Sequence, residues 1–233
     1  MKKGLNNQEQ GVFMNSRRQI LNKNSSFAAQ EAYKTLRTNV RFFLRDERCK
    51  KFCVTSGAPG EGKSITLLNL AISVAEAGDR VLLIDADMRR PAVARLLVEK
   101  ATPGLSNVLA GLTSCDEAIR TDMYPNLDIL FSGDVPPNPS ELLSSDRMQQ
   151  LIEEMTERYD YILVDTPPVN VVTDASIIAN LLDGVLLLVR NNRSKKQDVK
   201  RAVDSLRLTG AKVLGFILNG VTLDANKSYG YYN

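Results

Sequence analysis

The sequence predicts an α/β fold: a doubly wound, mostly parallel sheet flanked by helices in three α/β/α layers. Three observations carry that prediction. The first is a set of apolar runs of strand length, at Phe52 to Thr55, Val81 to Ile84, Leu127 to Phe131, Tyr161 to Val164, Val185 to Val189 and Val213 to Leu218. Unbroken runs of this kind suit strands buried on both faces. The second is alternation: helix-like stretches lie at Ser64 to Ala77, Arg147 to Arg158, Ala175 to Leu182 and Gln197 to Leu208. That order belongs to a parallel sheet with crossover helices. The third is size, since 233 residues with 43% hydrophobic side chains make one domain with an ordinary core. Right-handed crossovers then bring the strand C-termini to one edge, where ligands bind.

Around that core the chain divides simply. Residues 1–26 are polar and rich in Asn, Lys and Ser, which predicts a flexible arm. Tyr33, Leu36, Val40, Phe43 and Leu44 recur at helical spacing, so a helix within residues 27–45 opens the main domain, 27–224. Residues 225–233 form a polar tail carrying tyrosines. Pro136, Pro137 and Pro139 read as a surface loop.

Composition narrows the chemistry. There is no histidine, so the commonest general base and metal ligand is missing. Cys49, Cys53 and Cys115 have no metal-ligand spacing, and their odd number argues against a disulfide framework; a reducing cytoplasm is expected. The apolar runs are too short to cross a bilayer and no secretory signal is evident, so membrane association is expected through a partner. Net charge is +3, yet eleven Lys/Arg against four Asp/Glu up to Lys50 give that part +7 and leave −4 for the rest. Such a segment suits anionic lipid, nucleic acid, an acidic partner, or simply solvent. No basic patch interleaved with aromatics supports a nucleic-acid partner.

The most specific motif is Gly57 to Ser64, GAPGEGKS, which fits G-x-x-x-x-G-K-[ST] at every fixed position between a strand and a helix. This is a P-loop. Gly57, Gly60 and Gly62 let backbone N–H groups converge on phosphate oxygens at a helix N-terminus. Lys63 is placed for the β- and γ-phosphates of ATP, and the Ser64 hydroxyl for Mg²⁺. The expected nucleotide-binding set is therefore Gly57, Ala58, Pro59, Gly60, Glu61, Gly62, Lys63, Ser64 and Ile65.

Two more strands end in carboxylates. Val81 to Ile84 runs into Asp85-Ala86-Asp87, and Tyr161 to Val164 into Asp165-Thr166-Pro167-Pro168. Both should meet the cradle at the same sheet edge. Asp165 suits the Walker-B role beside Mg²⁺. Asp85 and Asp87 are two positions apart and share a face if extended, so one can serve the metal and the other an incoming hydroxyl. The residues alone leave open which does which.

Three blocks, VTSGAPGEGKS from Val54, LLIDADMRRP from Leu82 and YILVDTPP from Tyr161, resemble the Walker A, A′ and B blocks of bacterial tyrosine kinases. These are the cytoplasmic partners of capsule and exopolysaccharide systems, P-loop NTPases related to the MinD/ParA ATPases. The similarity runs from Ala28 onward and includes PPNPSELL from Pro136. The resemblance implies that Lys63, Asp85, Asp87 and Asp165 are catalytic, with Ser64, Asp85 and Asp165 around the metal. It also implies that Asn219 contacts adenine, where the residues alone equally allow a turn before Gly220.

The resemblance further implies trans-autophosphorylation of the tail within a ring-like homo-oligomer. Three of the seven tyrosines, Tyr229, Tyr231 and Tyr232, fall in the last five residues. Glu31, Lys34 and Arg37 are similar to the family's E-x-x-R-x-x-R oligomer contact, with Lys for the first Arg, and positions three apart share a helical face. A transmembrane activator, akin to a polysaccharide co-polymerase, is the implied partner at the inner face of the membrane. The alternative is a MinD/ParA-like switch that phosphorylates no protein. Those proteins carry a lysine where this chain has Ala58.

Overall fold

All six apolar runs form strands. In this computed structural model, which describes residues 20–221, they are β1 (Lys50–Ser56), β2 (Val81–Asp85), β4 (Leu127–Leu130), β5 (Tyr161–Asp165), β6 (Gly184–Arg190) and β7 (Val213–Asn219). A further strand, β3 (Ile119–Tyr124), joins them in the order β3-β4-β2-β5-β1-β6-β7. Every neighbour pair is parallel except β3 with β4. That antiparallel edge is absent from the sequence reading because IRTDMY is half-exposed and has no apolar run.

The helices are α1 (Phe27–Phe43), α2 (Lys63–Ala75), α3 (Val93–Leu97), α4 (Leu105–Leu109), α5 (Cys115–Ala118), α6 (Pro139–Leu143), α7 (Asp146–Arg158), α8 (Asp174–Ala179) and α9 (Lys196–Leu208). The strands alternate their side chains between two cores, as pleating requires. Leu83 and Leu163 face Val40 of α1 and Leu67 and Leu70 of α2. Leu82, Ile84, Ile162 and Val164 face Leu151 of α7, Ile178 of α8 and Leu206 of α9. α7 shows how the local sequence does this: Ser145 caps it by accepting from the Met148 N–H, and Met148, Leu151, Ile152 and Met155 bury one stripe.

Two expectations change in detail. The proline loop continues into α6, which Pro139 opens from a first-turn position that needs no N–H. The arm expected over residues 1–26 has its described end docked, with Ile20 and Leu21 buried and the Leu21 N–H donating to Asn69 Oδ1 at 2.8 Å. No helix among the described residues is long and apolar enough to cross a membrane. The three cysteines are unpaired, and burial pushes Cys53 up to about 12, which makes it an inert thiol. Tyr229, Tyr231 and Tyr232 lie outside the described residues.

Candidate nucleotide and phosphotransfer site

Strand register assembles the site. Asp85 and Asp165 are Cα partners across β2 and β5, and Asp165 is also paired with Val54 of β1, the strand that leads into the P-loop. Two side-chain bonds hold the turn after β5 against β1: Thr55 Oγ1 to Pro167 O at 2.8 Å and Thr166 Oγ1 to Val54 O at 3.0 Å. Both aspartates are fully buried, Lys63 and Asp87 nearly so.

The P-loop takes the path that its glycines permit. Gly60 and Gly62 have φ of 73° and 102°, and Gly62 caps α2, with its carbonyl accepting from Thr66 N–H. A methyl group at Gly62 would collide with Asn219 Nδ2. Gly62→Ala is therefore expected to cost about 1–3 kcal/mol and to weaken nucleotide binding, read by thermal denaturation and ADP titration. Neighbouring loops brace the cradle. Asn219 Nδ2 donates to Glu61 O at 2.9 Å and Arg190 Nη1 to Gly60 O at 3.0 Å, while Ser194 Oγ donates to the buried Glu61 carboxylate. Glu61 thus serves the loop's shape, which the motif did not reveal.

Lys63, Ser64 and Asp87 line one cavity of about 480 Å³ together with Arg90, Arg95 and Pro168. The three carboxylates differ in what they already bind. Asp85 accepts from the Asp87, Ala92 and Val93 N–H groups at 3.1 to 3.3 Å, so it shapes the turn after β2. Burial, and then the Asp165 charge, raise its carboxyl well above the usual range against the pull of the Val93 N–H. Asp87 accepts from Arg90 N–H at 3.0 Å and lines the cavity, whereas Asp85 does not. Neither Asp165 oxygen has a hydrogen-bond partner of normal geometry. Burial pushes Asp165 up to about 6, with Lys63 and the Ser64 hydroxyl pulling it down and Asp87 pushing it up.

A buried carboxylate with two orphaned oxygens fits a cation. Among the described residues, no three His, Cys, Asp or Glu side chains form a metal-holding group by themselves. Mg²⁺ is held by one or two protein oxygens together with phosphate and water, and Asp165 beside the Ser64 hydroxyl offers oxygens of that kind.

A clamp that the sequence reading missed fixes the turn after β2. Arg89 donates from Nε and Nη2 to the fully buried Asp174 carboxylate at 2.8 and 3.1 Å, and from Nη2 to Ser140 Oγ at 2.8 Å. It joins the loop after β2 to α8 and α6. Asp174→Asn is expected to cost about 1–3 kcal/mol in urea unfolding, since Arg89 loses a charged, bidentate acceptor.

On α1, Lys34 pairs with Glu31 at 2.8 Å on the exposed face. Arg37, the third expected oligomer contact, instead donates to Ser73 O of α2 within the same chain.

Residues 49–203 match a family model described as an AAA domain. Tyrosine-protein kinase YwqD of Bacillus subtilis is 42% identical over 202 residues, which cover 87% of this chain and 85% of that protein. The chain belongs to the bacterial tyrosine-protein kinase family.

Staphylococcus aureus has a second such relative, described as putative tyrosine-protein kinase CapB, 37% identical over 87% of this chain and 89% of its own length. The tyrosine-protein kinase ptk of Acinetobacter johnsonii is 37% identical, but the match spans 27% of it, so that kinase carries a long additional stretch. Among solved structures, the kinase domain of Escherichia coli tyrosine kinase ETK superposes with a TM-score of 0.81 and 35% identity, covering 88% of this chain and 80% of that one. The septum site-determining protein MinD of Pyrococcus horikoshii, solved with Mg-ADP, gives 0.62 and 26%, covering 73% and 70%. The tyrosine kinase is thus a P-loop nucleotide-binding enzyme whose MinD likeness is the more distant one.

Proposed function

We propose that this kinase transfers the γ-phosphoryl group of ATP to Tyr229, Tyr231 and Tyr232 on the tail of a neighbouring subunit, in a capsule or exopolysaccharide system. The observation that carries the reading is the meeting of Lys63, Ser64 and Asp87 in one cavity above the orphaned Asp165. The P-loop amides and Lys63 hold the triphosphate, with Lys63 on the β- and γ-phosphates. Ser64 and Asp165 would hold Mg²⁺, which when bound neutralises charge on the phosphate oxygens. Asp87 faces the cavity and accepts or directs the phenol proton, while Asp85 keeps the Asp87 backbone in place. Positioning and charge neutralisation supply most of the rate enhancement. Asn219, tied to the loop at Glu61, stands beside the nucleoside end.

Glu31 and Lys34 would reach another subunit from within an exposed ion pair, and Arg37 through the donors that its bond from Nη1 to Ser73 leaves over. A transmembrane activator completes the working assembly at the inner membrane face. Each phosphotyrosine adds about −1.5 to −2 charges, so a modified tail repels itself and the acidic site and loosens the oligomer. A chain with Tyr229, Tyr231 and Tyr232 all changed to Phe should stay assembled in ATP. Light scattering that showed it dissociating in ATP as readily as the chain that keeps its tyrosines would end that idea.

The test of the reaction is incubation with ATP–Mg²⁺ and the activator's cytoplasmic fragment, followed by peptide mass spectrometry. Phosphate on the tail tyrosines supports the kinase reading. ADP release with every tyrosine unmodified would favour the MinD-like switch instead.

A further inference from the structure

We infer that residues 20–33 build the outer wall of the nucleoside subsite, and that Asn69 on α2 latches this wall shut; the inference rests on the nucleotide-binding reading of the P-loop. A second cavity of about 460 Å³ meets the first at Gly62 and Ile65, the N-terminal turn of α2. The first cavity holds Lys63, Ser64 and Asp87, the groups that take the γ-phosphate and metal end. A nucleotide strung across the cradle therefore leaves its nucleoside toward the second cavity, whose volume is that of a small-ligand site.

One side of that cavity is the cradle itself, with Thr66, Arg190 and Asn219. The other side is the N-terminal segment, with Leu21, Ser26, Ala29 and Tyr33. This segment is built rather than draped. Ile20 and Leu21 are buried, and Asn22 turns the chain by donating from Nδ2 to Ile20 O at 2.7 Å and accepting Ser25 N–H at 2.9 Å. Gln30 Nε2 donates back to Ser25 O at 2.9 Å.

Asn69 joins the two sides. Its Oδ1 accepts the Leu21 N–H at 2.8 Å and its Nδ2 donates to Tyr33 Oη at 3.1 Å. It sits on the same helix as Lys63, inside a run that is buried from Thr66 to Ala75. A buried amide in such a helix is costly unless its hydrogen bonds are made. Docking of the wall meets that requirement and at the same time closes the cavity around a base and ribose. The phosphates gain nothing from it, because their partners lie on the cradle. Position of the N-terminal segment thus sets affinity for the nucleoside part alone.

The test compares Mg-ADP with inorganic tripolyphosphate by calorimetry on the full chain. Leu21→Ser removes the apolar anchor outside α2, and Asn69→Ala removes the latch. Each variant is expected to weaken ADP about fivefold, the worth of one buried hydrogen bond or small apolar anchor, while tripolyphosphate stays within about twofold. Equal weakening of both ligands, or unchanged ADP in Leu21→Ser, would overturn the wall. If Asn69→Ala does not fold, Leu21→Ser decides alone. Binding is read without phosphotransfer, so failure of the tail-phosphorylation reading would leave this result standing.

Discussion

Lys63→Met is expected to lower tail phosphorylation by at least about 10²–10³-fold, the scale for deleting one pre-aimed cationic or hydrogen-bonding group at a developing anion. Lys63 is 8% exposed at the floor of the cavity and is the charge that pulls Asp165 down. Methionine keeps the unbranched stem and its packing, so the fold should persist. Arg89 is spent on Asp174 and Arg190 on Gly60, and Arg90 and Arg95, which line the same cavity, come from the loop after β2 and from α3 rather than from the first turn of α2. Single-turnover phosphotyrosine formation, with unfolding measured in parallel, checks this. More than a tenth of the normal rate in a folded variant would remove Lys63 from the mechanism.

Asp165→Asn carries the second large effect, and it has two opposite signs. Its carboxyl stands at about 6 in the folded chain against an ordinary 3.8, so folding favours the protonated form. Below the ordinary value the group is neutral in both states and costs nothing. Between about pH 3.8 and 6 the unfolded chain has shed the proton and the folded chain still holds it, so stability falls by on the order of 2–3 kcal/mol across that window and stays low above it, where the charge is buried. Asparagine avoids that charge, so the ligand-free variant should melt about 4–10 °C higher at pH 7.5, and the gain should vanish near pH 4. The same change removes an oxygen anion that suits Mg²⁺, so phosphotransfer should fall by about 10²-fold or more. A variant that loses activity without gaining stability at pH 7.5 would contradict this account of the unpaired oxygens.

How much of this could be read from the chain alone follows from the range of the interactions involved. The P-loop was legible because its chemistry is contiguous: Gly57 to Ser64 needs only a strand before it and a helix after it. Asp85 and Asp165 were legible because apolar runs end at them, and parallel register then makes them neighbours. Arg89 and Asp174 are 85 positions apart and have no local pattern, so their clamp needed the fold. The different hydrogen bonding of Asp85 and Asp87 is hidden in the sequence because backbone N–H groups of Ala92 and Val93, not side chains, engage Asp85. Ile20 and Leu21 are indistinguishable from a polar arm in the sequence because two apolar residues establish no periodicity. The β3 edge escaped for the reason that edge strands often do, since one face meets water and the apolar signal halves.

The bond from Asn219 to Glu61 has a geometric consequence for any assembly of these subunits. It pins the point at which the chain leaves the sheet to the rim of its own nucleotide loop. Covalent geometry lets an extended chain span at most about 3.3–3.6 Å per residue, which sets an upper reach of about 36 Å for ten residues beyond that anchor and about 47 Å for thirteen. Under the proposed transfer between subunits, a receiving site must fall inside that radius of the donor's loop. The tether length, fixed by covalent bonds, thereby limits which subunit spacings and orientations can support exchange, and shortening it should silence the distal pairings first.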